Sequence, residues 1–104
     1  MKQTDKECVS NTIKIIGSKW TTLLLRELCE GTKRFGELER ALDGISPRTL
    51  SARLQQLEIK GIITKKVFAQ VPLRVEYSLT SKGKSLKNII ETMHQWGRQY
   101  PSQG

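Results

Sequence analysis

Ile45-Ser46-Pro47-Arg48-Thr49-Leu50-Ser51-Ala52-Arg53-Leu54-Gln55-Gln56-Leu57 holds a helix start, a buried seam and an outward face in one short stretch. Ser46 suits the N-cap, and Pro47 after it presets the helical φ without wasting an amide. Leu50, Leu54 and Leu57 recur at helical spacing and predict one apolar seam. The opposite face carries Arg48, Ala52, Gln55 and Gln56, with Thr49 and Ser51 on its flanks and no carboxylate. Arg and Gln can each make paired hydrogen bonds to base edges. The stretch therefore predicts a helix able to lie against a polyanion.

Upstream, residues 8–16 read as a first helix on Val9, Ile13 and Ile16, interrupted by Gly17-Ser18. A Leu-rich second helix spans Lys19 to Glu30, with Gly31 as its stop. Thr32 to Phe35 could add a short edge strand. Gly36 to Leu42 reads as a third helix, and Asp43-Gly44-Ile45 as a tight turn into the Ser46-capped helix, which ends at Lys60-Gly61. Two helices joined by a short Gly-containing turn form a helix-turn-helix unit.

Downstream the pattern changes to β. Ile62 to Phe68 is rich in β-branched residues, and 74–79 alternates Val75, Tyr77 and Leu79 with polar partners. Ala69 to Leu73 is the hairpin tip, where Pro72 tolerates only a loop or an edge. Lys65, Lys66 and Arg74 flank that tip, so the hairpin reads as a basic wing. A last helix, Thr80 to Trp96, carries the stripe Leu86, Ile89, Ile90, Met93 and Trp96. Residues 1–7 and 99–104 are expected to be disordered. The fold class is mainly α with a small β-hairpin (α+β): one winged helix-turn-helix domain over residues 1–104.

The formal net charge of the 104-residue chain is +8. Its excess is local. Residues 45–74 hold six cations (Arg48, Arg53, Lys60, Lys65, Lys66, Arg74) against Glu58 alone. A concentrated cationic surface favours a polyanion, and nucleic acid is the commonest. No apolar run is long enough to cross a bilayer, and no signal-peptide core precedes the first helix, so a cytoplasmic location with no membrane partner is expected. Two cysteines, Cys8 and Cys29, do not make a disulfide framework. A single histidine, His94, lacks companions at metal-ligand spacing, and no phosphate loop or nucleophile motif appears. Neither an enzyme nor a cofactor is expected.

Several separated stretches together resemble the HxlR family of bacterial transcriptional regulators. They are Ile15-Ile16-Gly17-Ser18-Lys19-Trp20, Arg34-Phe35-Gly36-Glu37-Leu38, Gly44 to Leu50, Arg53-Leu54, Leu57-Glu58, Gly61-Ile62-Ile63, Val71 to Thr80, and Gly83. The resemblance spans about residues 8–97. It implies a homodimer, built by the first and last helices, that binds an operator in double-stranded DNA through two half-sites, most often as a repressor. The interface residues would be Val9, Ile13, Leu86, Ile89, Ile90, Met93 and Trp96. The stripe itself agrees, being large for so small a domain, and exposed apolar patches mark interfaces.

On that reading Ser46, Arg48, Thr49, Ser51, Arg53, Gln55 and Gln56 form the recognition-helix contacts, with the stem of Arg53 along the core edge and its head on a phosphate or a nearby acid. Lys33 and Arg34, at the start of the third helix, touch the backbone, and Lys65, Lys66 and Arg74 bring the wing to the minor groove. Cys8 matches the family's N-terminal cysteine, which in some members senses oxidants or electrophiles and bridges subunits. Placement at a helix start and Lys6 would favour its thiolate, while Glu7 opposes it. Val9 stands where many members have Pro. Cys29 is expected to be structural, and the sequence names no small-molecule effector. The rival reading is a winged-helix module for protein or RNA without operator recognition.

Overall fold

A computed structural model of the chain describes residues 4–102; residues 1–3 and 103–104, where disorder is expected, lie outside the described residues. The element order is α1 (Asp5–Ile16), α2 (Lys19–Cys29), β1 (Lys33–Arg34), α3 (Phe35–Ala41), α4 (Pro47–Ile59), β2 (Ile63–Phe68), β3 (Arg74–Leu79), α5 (Ser81–Lys84) and α6 (Lys87–Gln99). The three strands form one antiparallel sheet in the order β1-β3-β2.

One core joins the layers. Leu24, Leu25 and Leu28 of α2 meet Leu38 and Leu42, the α4 seam Leu50, Leu54 and Leu57, and Ile62, Ile63 and Tyr77 of the sheet. Burying each such leucine contributes about 1.5–3 kcal/mol. The helix-turn-helix bend falls at Gly44, whose φ of 91° is a left-handed conformation that glycine adopts without strain. It sets α4 across α3 with its polar face turned outward.

Three boundaries differ from expectation. Helix α1 begins at Asp5 and not at residue 8, because Thr4 and Glu7 make a reciprocal capping box. Thr4 Oγ1 accepts from the Glu7 amide at 3.1 Å, and the Glu7 carboxylate accepts from the Thr4 amide at 3.0 Å. Residues 5–7 are thus helical and not frayed. The last helix is two helices, since the chain turns at Ser85–Leu86, where the Leu86 amide bonds back only three residues, to the Gly83 carbonyl at 3.1 Å. Order also extends past residue 99: the Tyr100 amide donates to the Trp96 carbonyl at 3.0 Å, and the two rings lie 5.1 Å apart.

The largest correction concerns the C-terminal stripe. Leu86 and Ile90, expected at a dimer interface, are buried in this chain's own core. The stripe is wider than one contact: its inner edge packs on α2, and its outer edge, Ile89, Met93 and Trp96, faces solvent.

Candidate nucleic-acid interface

Helix α4 presents the face its sequence promised. Ser46 Oγ accepts from the Thr49 amide at 3.1 Å and donates to Thr49 Oγ1 at 2.9 Å. Pro47 has no amide, so the Arg48 N–H is the donor left at this helix end, where an anion is favoured. Arg48, Ser51, Ala52, Gln55 and Gln56 are exposed and Thr49 is half-buried. Arg53 finds neither an acid nor open solvent for its whole head. It is half-buried, its Nη1 donates to Gln56 Oε1 at 3.3 Å, and its buried Nε has no hydrogen-bond partner among the described residues. Arg53 therefore ties back the carbonyl of Gln56 and leaves that residue's amide donor outward.

The wing sorts its cations by face, because successive strand residues point to opposite sides. In register, Arg34 and Lys66 stand across Glu76 from either side, and Arg74 stands across from Phe68. These five share the outer face of the sheet. The Arg74 guanidinium carbon lies 3.8 Å from the Phe68 ring centroid, and the Lys66 ammonium lies 5.0 Å from it. Arg74 Nε also lies 3.5 Å from a Glu76 carboxylate oxygen. That pair is a charge contact without hydrogen-bond geometry, since the same Nε is buried without a hydrogen-bond acceptor. Phe68 and Glu76 are absent from the residues expected from sequence. Their sole signal is the cross-strand register, which requires the pairing to be known.

Lys33 and Lys65 fall on the other face, flanking the buried Tyr77. Lys33 is half-buried in β1 and pairs with Glu30 at 3.3 Å, so it is not an unengaged cation at the head of α3. The α3 N-terminus is instead closed by Glu37, whose carboxylate accepts from the Arg34 amide at 2.8 Å. Lys65 lines a cleft of about 260 Å³ with Ser51, Gln55, Glu58 and Tyr77, and so joins the wing to the α4 face. Burial pushes the Tyr77 hydroxyl pKa up, and Glu58 adds to the rise. Two apolar groups sit at the extremities, Ile59 at the end of α4 and Val71 with Leu73 at the wing tip; all three are exposed.

The cysteines are far apart in character. Cys8 is exposed and occupies the fourth position of α1, not the residue before it, with its amide already bonded to the Thr4 carbonyl at 3.0 Å. Cys29 lines a cleft of about 650 Å³ between α2 and α6. Desolvation pushes its thiol pKa up, with Lys87 opposing and Glu91 reinforcing. A protonated, half-buried thiol is a poor nucleophile. No group of three His, Cys, Asp or Glu among the described residues is placed to hold a metal, and no helix among them is long and apolar enough to cross a membrane.

Comparison with known proteins follows the same lines. The family described as HxlR-like helix-turn-helix matches residues 15–104. The uncharacterised HTH-type transcriptional regulator YdeP of Bacillus subtilis (strain 168) is 44% identical over 92 residues, covering 88% of this chain and 72% of that protein. Among solved structures, the redox regulator HypR in its oxidized form superposes with a TM-score of 0.85 at 39% identity, covering 91% of this chain and 98% of that one. A protein from Porphyromonas gingivalis W83, described as a MarR-family transcriptional regulator, superposes at 0.87 with 40% identity, covering 96% and 99%.

Proposed function

The chain belongs to the HxlR family of helix-turn-helix transcriptional regulators, which are not enzymes, and from that premise we propose that it represses transcription in the cytoplasm as a homodimer on a palindromic operator. The observation that carries this reading is the exposed face of α4, capped at Ser46 and free of acids from Arg48 to Gln56, which continues through a cleft lined by Glu58 and Lys65 into a cationic hairpin. Two copies related by a two-fold axis would set their α4 helices about 34–36 Å apart, in successive major grooves. Arg48, Ser51, Gln55 and the amide of Gln56 then reach base edges, with Thr49 at the flank. Arg34, Lys66 and Arg74 serve the backbone and the minor groove, whose sugar walls suit Val71 and Leu73. Lys33 and Lys65 contribute at longer range.

Dimerisation is supported by shape. The radius of gyration is 15.0 Å, against about 13 Å for a compact domain of this length. Helix α1 carries exposed Val9 and Ile13, and α6 with the residue that follows it carries exposed Ile89, Met93, Trp96 and Tyr100. Met93 already shares a shallow depression with Gly17, Thr22 and Leu23, which joins the end of α1 to α6.

The test is a salt titration of the protein against mixed-sequence duplex. Affinity should fall about 10³-fold or more between roughly 50 and 200 mM salt. Arg48→Ala should cost about 1–3 kcal/mol of discrimination between its operator and other sequences, whereas Arg74→Ala should weaken all duplexes and reduce the salt slope by about one. Salt-insensitive binding, or none, would favour the rival, a winged-helix module for protein or RNA.

Cys8 is the candidate oxidant or electrophile sensor. Its exposure on α1, and the likeness of the chain to a redox regulator, support a bridge between subunits. Mild oxidant should give a dimer band on a non-reducing gel that Cys8→Ser removes and Cys29→Ser keeps. A band that survives Cys8→Ser would exclude that bridge.

A further inference from the structure

We propose that Glu76 and Phe68 are positioning residues that aim Arg74 before DNA arrives; the idea rests on the operator-binding reading and names what directs its wing. The outer face of the sheet has one carboxylate among three cations, with Arg34 and Lys66 on the flanking strands and Arg74 two residues before Glu76 on the same strand. Directly opposed strand residues hold their Cβ atoms about 5 Å apart, so this acid sits centrally in the group. Its carboxylate lies 3.5 Å from Arg74 Nε, and the flat of the guanidinium rests 3.8 Å from the Phe68 centroid. The Nε side and one face of the fork are thereby occupied. No second carboxylate pairs with Arg74 among the described residues, and the two Nη groups are the part of the fork left to bind.

Partial exposure of both side chains, 28% for Arg74 and 27% for Glu76, makes the pair a weak source of fold stability. Its effect lies in direction. An arginine side chain free to wander loses rotamer entropy when it enters a groove; one already stacked and flanked loses less. Charge counting gives the opposite expectation for Glu76. An acid beside a polyanion repels it, so its neutralisation would tighten binding. The two views differ in sign.

The experiment is a double-mutant cycle on a fluorescent duplex taken from the region upstream of the protein's own gene, at one fixed salt concentration. Glu76→Gln should weaken binding about 5-fold in the natural background and less than about 2-fold in Arg74→Ala, with the thermal midpoint little changed. Unchanged or tighter binding by Glu76→Gln would overturn the proposal. So would an equal loss in both backgrounds, which marks a general effect on the fold. If the natural protein ignores this duplex and mixed DNA alike at low salt, the operator reading itself fails and takes this one with it.

Discussion

Introducing Glu at both Ile13 and Met93 is expected to leave a folded monomer whose operator affinity is lower by about 10²–10⁴-fold. Both side chains are exposed, at 58% and 45%, so the isolated chain accommodates carboxylates at either position without disturbing its core. In a dimer built on α1 and α6 the same carboxylates would be desolvated without partners, which is strongly unfavourable. The loss of DNA binding follows from arithmetic. Each half-site contact survives, but the second one no longer benefits from the tether supplied by the first. Sedimentation should report the monomer, circular dichroism an unchanged helix content, and titration the lost affinity. A variant that stays dimeric and binds normally would place the interface elsewhere. Ile90→Glu makes the contrast, because that side chain is in the core and its replacement should unfold the chain.

Gly83→Ala should lower the thermal midpoint by on the order of 10 °C, from a loss of about 2 kcal/mol. Helix propensity alone predicts the reverse, a gain of up to about 1 kcal/mol. Packing decides. Gly83 is buried where α5 crosses the start of β2, and an added Cβ would collide with the Ile62 carbonyl oxygen and press on Leu79 Cδ2 at 3.1 Å. Helix α5 cannot easily step back, because Thr80 Oγ1 donates to the Gly61 carbonyl at 2.6 Å and accepts from the Gly83 amide at 3.0 Å. A midpoint that holds or rises would show that this crossing has slack.

The legible parts of the molecule were those whose signals are local. Ser46-Pro47 and the Leu50, Leu54, Leu57 seam placed α4, and the alternation around Tyr77 placed β3, each as found. The Thr4–Glu7 capping box is equally local, but a charged stretch before a helix has the composition of a frayed end, and only the two reciprocal hydrogen bonds distinguish the cases. Periodicity showed that α6 has an apolar stripe and could not show that its inner edge, Leu86 and Ile90, is satisfied within one chain while Met93 and Trp96 are not. The candidate site divides the same way. Arg48, Gln55 and Arg74 follow from motif and position, whereas Glu76 and Phe68 acquire meaning only from strands paired across the hairpin. Lys65 and Lys66 look equivalent in the sequence, and only the pleat separates them.

That separation makes the wing a parity device. A single uncharged residue inserted between Ile63 and Lys65 would turn Lys65, Lys66 and Phe68 each to the opposite face, carrying Lys65 away from α4 and Lys66, together with the phenyl ring, away from Arg74, although the net charge would be untouched. Lengthening by two residues restores the assignment. Descendants of this chain can thus vary the reach of the hairpin in steps of two, and each odd step reverses which lysine serves which surface.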